Sequence, residues 1–267
     1  MSKSNVCVVV TGASQGVGLG IALKFLSEGA NVVLVGRDAS KAQRALPADY
    51  LEKNPRQAFF LSKDLTRAEA CKECAEEAAA LLGGRIDVLV NNAGSGSLGK
   101  NLETTTDADW DAALGINLKS CMFMTQSAIP FLEASRGAVV NISGVAAQRP
   151  FTSMLPYCCA KAGVEMLSKC AALELAPKGI RVNCVAPGTI ATGFLASAGL
   201  SPDAAEAFLE ESAACHPIGR IGQPSDVAEA VYFLALPASA GFITGQCVTL
   251  DGGRTLTLPS GRALKSS

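Results

Sequence analysis

The sequence predicts one doubly wound α/β domain, a mostly parallel sheet of about seven strands covered by helices on both faces. Three observations predict it. Short β-branched runs alternate with longer helical patterns along the chain, which is the order that right-handed crossovers require. The runs are continuously apolar and do not alternate with polar residues, as expected of strands buried on both sides. No internal repeat, low-complexity tract or linker divides residues 1–267, a length that one such domain can hold.

The elements follow in order from those patterns. Val6 to Val10 is the first strand, and Thr11-Gly12 ends it before a helix from about Gly16 to Glu28. Asn31 to Val35 is the second strand, followed by a helix near Ala39 to Lys53. Ala58 to Ser62 precedes a helix near Arg67 to Leu82, and Ile86 to Val90 is the fourth strand. Two longer helices come next, near Thr106 to Met124 and on to Leu132. Gly137 to Ile142 is the fifth strand, Leu155 to Leu175 a long helix, Ile180 to Val185 the sixth strand and Gln246 to Leu250 the seventh.

Composition narrows the function classes. Apolar residues make up 49% of the chain and charged residues 18%, which supplies a core and argues against disorder. A net charge of −1 gives no reason to expect nucleic acid or an anionic membrane surface as a partner. No uninterrupted apolar run reaches the ~18 residues of a membrane span. Met1 to Asn5 leads straight into a strand with no signal-peptide core, so a cytoplasmic protein is the expectation.

The ten cysteines are scattered, mostly in apolar runs where a thiol acts as a small hydrophobe. Cys71 and Cys74 have CxxC spacing, but in an Ala/Glu-rich stretch that reads as a helix surface, with no second cysteine pair to make a metal site. His216 is the only histidine, which argues against a His-based metal site and a Ser-His-Asp triad and reads as structural. No metal is expected.

The chemistry begins at Thr11-Gly12-Ala13-Ser14-Gln15-Gly16-Val17-Gly18, between the first strand and first helix. Glycines there let the backbone turn, approach a pyrophosphate and start a helix whose amides point at the phosphates. The GxxxGxG spacing resembles the short-chain dehydrogenase/reductase family, and the likeness continues from about Val6 to Gly253. It includes Asn91-Asn92-Ala93-Gly94, Asn117, Ser143, Tyr157-Cys158-Cys159-Ala160-Lys161, Pro187-Gly188-Thr189-Ile190-Ala191-Thr192 and Asp251-Gly252-Gly253. Taken in order and at family spacing, the set is specific, with a 3-oxoacyl-carrier-protein reductase as the best-known relative of the design.

The resemblance implies a Rossmann-type fold and an oxidoreductase moving a hydride between a nicotinamide cofactor and a ketone or secondary alcohol. Tyr157 and Lys161 stand one helical turn apart on one face, and an ammonium there should favour the phenolate. By family likeness Tyr157 transfers the proton, Lys161 also holds the nicotinamide ribose, Ser143 orients the substrate oxygen and Asn117 fixes a relay water. The cofactor set so implied is Gly12, Ser14, Gln15, Gly16, Val17, Gly18, Arg37, Asp64, Leu65, Asn92, Ala93, Gly94, Tyr157, Lys161, Pro187, Gly188, Ile190 and Thr192. Gly36 leaves room and Arg37 can pair with a 2′-phosphate, so NADP(H) is favoured over NAD(H). Many NADP(H)-using relatives carry a base where this chain has Gln15. Asp64 could also cap the helix expected from near Thr66.

Residues 193–222 read as a substrate lid and 254–267 as a C-terminal tail. Gly144, Val145, Pro150, Phe151 and Phe194 are expected to wall the pocket, none of them charged, which disfavours a highly charged substrate. The competing reading, a non-catalytic dinucleotide sensor or scaffold, would not require all of Asn117, Ser143, Tyr157 and Lys161. The resemblance implies a homotetramer with two-fold symmetry, or failing that a dimer. Apolar excess on the helices near Trp110 to Met124 and Cys158 to Leu175, and in Thr255 to Leu258, suits the buried faces of an oligomer.

Overall fold

The computed structural model describes residues 6–47, 50–54, 57–197 and 199–257. The strands are β1 (Cys7–Thr11), β2 (Asn31–Gly36), β3 (Ala58–Ser62), β4 (Val88–Asn91), β5 (Ala138–Ile142), β6 (Arg181–Pro187) and β7 (Cys247–Leu250). The helices are α1 (Gly16–Ser27), α2 (Ala39–Arg44), α3 (Tyr50–Lys53), α4 (Ala68–Leu81), α5 (Asp107–Leu114), α6 (Ser120–Ser135), α7 (Leu155–Leu175), α8 (Phe194–Ser197), α9 (Pro202–Ala214), α10 (Pro224–Ala235) and α11 (Pro237–Ala240). The strands form one sheet in the order β3-β2-β1-β4-β5-β6-β7, and every pairing is parallel. This is the doubly wound, Rossmann-type architecture.

Each central strand is apolar throughout because its two faces feed two cores. Val8 and Val10 of β1 join Val32, Leu34, Val88, Val90 and Val140 against α1 and α10. Cys7 and Val9 point the other way, with Val33, Val35, Leu89 and Val139, against α4 and α6 and the end of α7. Burying both faces leaves the strand ends as the place for polar chemistry. The chain winds one way from β1 to β3 and the other from β4 to β7, so the loops part between β1 and β4, where such folds bind ligands.

Four details differ from the sequence reading. The helix expected over Ala39 to Lys53 is two pieces, α2 and α3, with Pro47 in the gap where it cannot continue a helix. The boundary expected near Met124 lies earlier: a π-helical turn, Gly115–Lys119, joins α5 to α6. Helix α10 had no counterpart, although Pro224 at its first turn and a Gln223–Asp226 capping box mark its start. Its Val227, Val231 and Leu234 are buried at helical spacing.

The CxxC pair is the fourth. Cys71 and Cys74 do not lie on a helix surface; both are fully buried. Burial pushes their thiols up to about 11 and about 12, which makes them poor nucleophiles at neutral pH.

Candidate active site

Thr11, at the end of β1, ties the glycine loop to the end of β4. Its Oγ1 accepts the backbone N–H groups of Asn92 (2.9 Å) and Ala93 (3.0 Å) and donates to the Val90 carbonyl. The Asn92 amide donates to the carbonyls of Thr11 (2.9 Å) and Gly12 (3.2 Å). Gly12 has φ +65°, and a Cβ there would lie 2.9 Å from the Ala93 Cα. At Gly18 a Cβ would run into the Gly12 carbonyl oxygen. The loop is therefore pressed flat on residues 92–93, and Val17 opens α1 behind it. Gln15 stands at the N-cap of α1 without capping it through its side chain, so first-turn amides remain for an anion.

The adenosine end of the cleft lies beside β2. Ser14 packs 3.5 Å from where a Gly36 Cβ would sit, and Arg37 is exposed. Asp38 is turned away: its carboxylate caps α2, accepting from Lys41 N (3.1 Å) and Ser40 Oγ (2.7 Å). Lys41 reaches back, and its Nζ donates to Gln15 Oε1. This lysine escaped the sequence reading, yet it brings a cation to Gln15, where a base was missed. Asp64 is not a helix cap, because α4 starts at Ala68. It closes a turn on Thr66, accepting from its N (3.1 Å) and Oγ1 (2.9 Å), which holds its carboxyl below the usual range. Leu65 is buried beneath it.

Asn117, Ser143, Tyr157 and Lys161 come from three segments and converge. Asn117 sits in the π-helical turn, fully buried, with Nδ2 donating to Ser95 O (3.0 Å) and Ala113 O (2.9 Å). Its Oδ1 accepts from Ser95 N. A Cβ on Gly94 would meet Asn117 Oδ1 at 2.5 Å and Lys161 Nζ at 3.6 Å. Ser143 follows β5 and donates to the Lys161 carbonyl (3.0 Å); Lys161 Nζ donates to the Ile142 carbonyl (2.9 Å). Tyr157 Oη lies 3.6 Å from the Cβ position of Gly144, and the Pro187 carbonyl 3.7 Å from the same point.

The Tyr157 phenol is raised above its ordinary value, not lowered. Burial is the cause. Lys161 Nζ lies over the ring, 5.6 Å from its centroid, and is itself held by Ile142. Burial also lowers the Lys161 ammonium, which is 4% exposed. The simple pairing expected from helical spacing is outweighed by desolvation.

The loop after β6 closes the site. Gly188 N donates to Leu250 O (2.9 Å), and Ile190 bridges to Gly222, so both ends of residues 193–222 are pinned beside the site. Thr192 covers the glycine loop: its Cγ2 lies 3.2 Å from where a Gly16 Cβ would be. Phe194 packs on Tyr157, with ring centroids 5.9 Å apart. His216 is buried and satisfied, Nδ1 against Ser212 O (2.6 Å) and Nε2 accepting from Thr189 N (3.4 Å), as a structural histidine should be. The Arg254 guanidinium lies over the ring of Phe151, 5.2 Å from its centroid.

A family model described as enoyl-(acyl carrier protein) reductase matches residues 12–255. The chain is 38% identical over 250 residues to an L-fucose dehydrogenase of Oryctolagus cuniculus, covering 93% of this chain and 84% of that one. It superposes on a Caenorhabditis elegans short-chain dehydrogenase/reductase of unknown function, solved with cofactor, with a TM-score of 0.89 at 32% identity, over 98% of this chain and 100% of the other. A 3-ketoacyl-(acyl-carrier-protein) reductase of Brucella melitensis, complexed with NADH, gives 0.83 at 30% identity, over 95% and 100%. The chain belongs to the short-chain dehydrogenase/reductase family, oxidoreductases that act on alcohol or carbonyl groups with a nicotinamide dinucleotide.

Proposed function

We propose that this protein is an NADP(H)-dependent carbonyl reductase or secondary-alcohol dehydrogenase, with Tyr157 as the proton-transferring residue. The observation that carries the reading is the convergence of Asn117, Ser143, Tyr157 and Lys161 around Gly94 and Gly144, at the mouth of a glycine cradle. The cradle fits a dinucleotide: Gly12, Gly16 and Gly18 leave no room for side chains, and the α1 amides suit a pyrophosphate. Ser14, Gln15, Val17, Asn92, Ala93, Gly94, Asp64 and Leu65 would line its adenosine and phosphate half. Pro187, Gly188, Ile190, Thr192, Tyr157 and Lys161 would hold the nicotinamide half. When bound, the nicotinamide supplies or accepts the hydride.

The chain's own residues handle the proton. A phenol raised by burial is fully protonated at neutral pH, the form that donates to a carbonyl oxygen as it gains charge. Ser143 now donates to the Lys161 carbonyl, so its hydroxyl hydrogen must re-aim to hold a ketone oxygen. Asn117 keeps its amide fixed by three hydrogen bonds to backbone atoms beside Lys161, a suitable anchor for a relay water. Helices α8 and α9 within residues 193–222 form the lid. The names of the relatives span an L-fucose dehydrogenase and a 3-ketoacyl-(acyl-carrier-protein) reductase.

NADP(H) is favoured on the adenosine side. Arg37 is exposed, Lys41 stands at Gln15, and the Asp38 carboxylate is spent on the α2 cap instead of being offered to a ribose. The ten cysteines, none of them in a disulfide among the described residues, suit a reducing compartment such as the cytoplasm. Trp110, Met122, Met166 and Leu173 on α5, α6 and α7, with Phe242 and Val248 near β7, are exposed apolar side chains on two faces. They support a homotetramer in which the helices pair across one two-fold axis and the β7 edge across another. Leu256 of the tail is exposed too; Leu258 lies outside the described residues.

Tyr157→Phe should bind NADPH nearly as well as the parent and lose several orders of magnitude in kcat; activity within about tenfold of the parent would overturn the assignment. In cofactor-free protein, the phenolate absorbance missing from that variant should appear only above about pH 10, the ordinary tyrosine value. Arg37→Asp and Lys41→Met should each lower the NADPH-over-NADH ratio of kcat/KM, Arg37→Asp by about tenfold or more. A parent that prefers NADH would overturn the cofactor reading. Light scattering at micromolar concentration should give a mass near four chains, and an active monomer would refute the assembly.

A further inference from the structure

The substrate side of the site carries a charge that its apolar neighbours do not account for. Arg254 follows the Asp251-Gly252-Gly253 turn after β7 and stacks on Phe151. Its Nη1 donates to Thr189 Oγ1. The nearest carboxylate in sequence, Asp251, is occupied by the N–H groups of Gly253 (2.9 Å) and Thr255 (2.6 Å). Among the described residues Arg254 makes no ion pair. A second cation lies behind it: Arg149, on the loop after β5, donates to the carbonyls of Arg254 (3.0 Å) and Thr257. Arg149 thus fixes the backbone from which Arg254 projects. Among the described residues both half-buried guanidiniums bond only neutral oxygens, a setting that an anion would stabilise.

Both contacts of Arg254 lie on segments that lead to the reacting centre. Thr189 is two residues beyond Pro187, whose carbonyl shares the neighbourhood of Gly144 with Tyr157 Oη. Phe151 lies on the loop that leads into Tyr157 and α7. Arginine has five N–H donors in a planar fork, and among the described residues one of those on Arg254 is used. The remaining edge matches two oxygens of a carboxylate or a similar oxyanion.

We propose that Arg254 is a specificity-determining residue for an oxyanion on the substrate, so that the ketone or alcohol turned over at Tyr157 carries a carboxylate or an oxyanion of like geometry. Arg149 is its positioning residue. The proposal rests on the oxidoreductase reading above and adds one charge to a substrate for which a high charge is disfavoured.

Kinetics should compare short- and medium-chain oxo acids, levulinate among them, each with its methyl ester, and acetonylphosphonate as a different oxyanion. The parent is expected to favour the acids by about tenfold or more in kcat/KM. Arg254→Met should erase that preference through KM, and Arg254→Lys should restore part of it. A preference for acetonylphosphonate over the acids would identify the oxyanion as a phosphonate or phosphate type. A parent that favours the esters, or an acid-to-ester ratio unmoved in Arg254→Met, would overturn the proposal. Melting temperatures separate the two readings. If no ketone is turned over, the oxidoreductase reading falls. The anion site then stands only if levulinate and acetonylphosphonate stabilise the parent and Arg254→Lys but not Arg254→Met, and equal stabilisation of all three sinks it.

Discussion

A parallel sheet buried on both faces is the constraint on which the rest of this structure depends. Alternate residues of β1 serve opposite cores, and no position of β1, β4 or β5 is free to carry exposed chemistry. Function is confined to the carboxyl ends of the strands, and the loops leaving β1, β4, β5, β6 and β7 meet there. Thr11 is the tie that makes those ends one surface, since its hydroxyl takes two amides from the segment after β4. Without it the glycine loop would lose its floor, and the α1 amides their aim.

Beneath that surface a polar seam links the sheet to α6 and α7. Asn91 donates to Asn141 Oδ1 (2.8 Å) and Thr125 Oγ1 (3.0 Å), Asn141 to Ser168 Oγ (2.8 Å), and Ser168 to the Val164 carbonyl (2.7 Å). These bonds are buried, where each is electrostatically strong and a broken one is costly. They fix α7 in height and rotation against β4 and β5, and Tyr157 and Lys161 ride on that helix. Lys161 adds a bond of its own to Ile142 O, at the end of β5. The positions of the proton-handling groups are therefore set by the middle of the sheet, well below the cleft.

Legibility in the sequence followed the range of the interactions. The strand runs of β1, β2 and β3 and the glycine loop are local patterns, and their positions agree closely with the structure. Helix α10 has no counterpart in the sequence reading, although its capping box and Pro224 are local signals of the same kind. The π-helical turn at Asn117 could not be read: one extra residue per turn leaves no mark in composition, yet it sets the direction of that side chain. The Ala/Glu-rich stretch around Cys71 and Cys74 misled, because it reads as a helix surface while the cysteines themselves face the core.

Charge shows most clearly why long-range juxtaposition escapes a linear reading. The near-neutral total conceals two populations of cations. Some are paired, Lys24 with Glu28 and Glu229, Lys63 with Glu73 and Glu77, Lys178 with Glu133, Arg220 with Asp226. Others bond neutral oxygens, Arg181 to the carbonyls of Leu234, Ala235 and Ala240, and around the cleft Lys41 to Gln15, Lys161 to Ile142, Arg149 to backbone carbonyls and Arg254 to Thr189. Lys41 lies beside the adenosine end and Arg254 beside the substrate end, so positive charge with spare donors marks both extremes of one cleft. A low-dielectric cleft lined by one sign of charge concentrates ligands of the other. Net charge measures solubility and distant steering, and it is silent on a site whose cations have been kept from their own carboxylates.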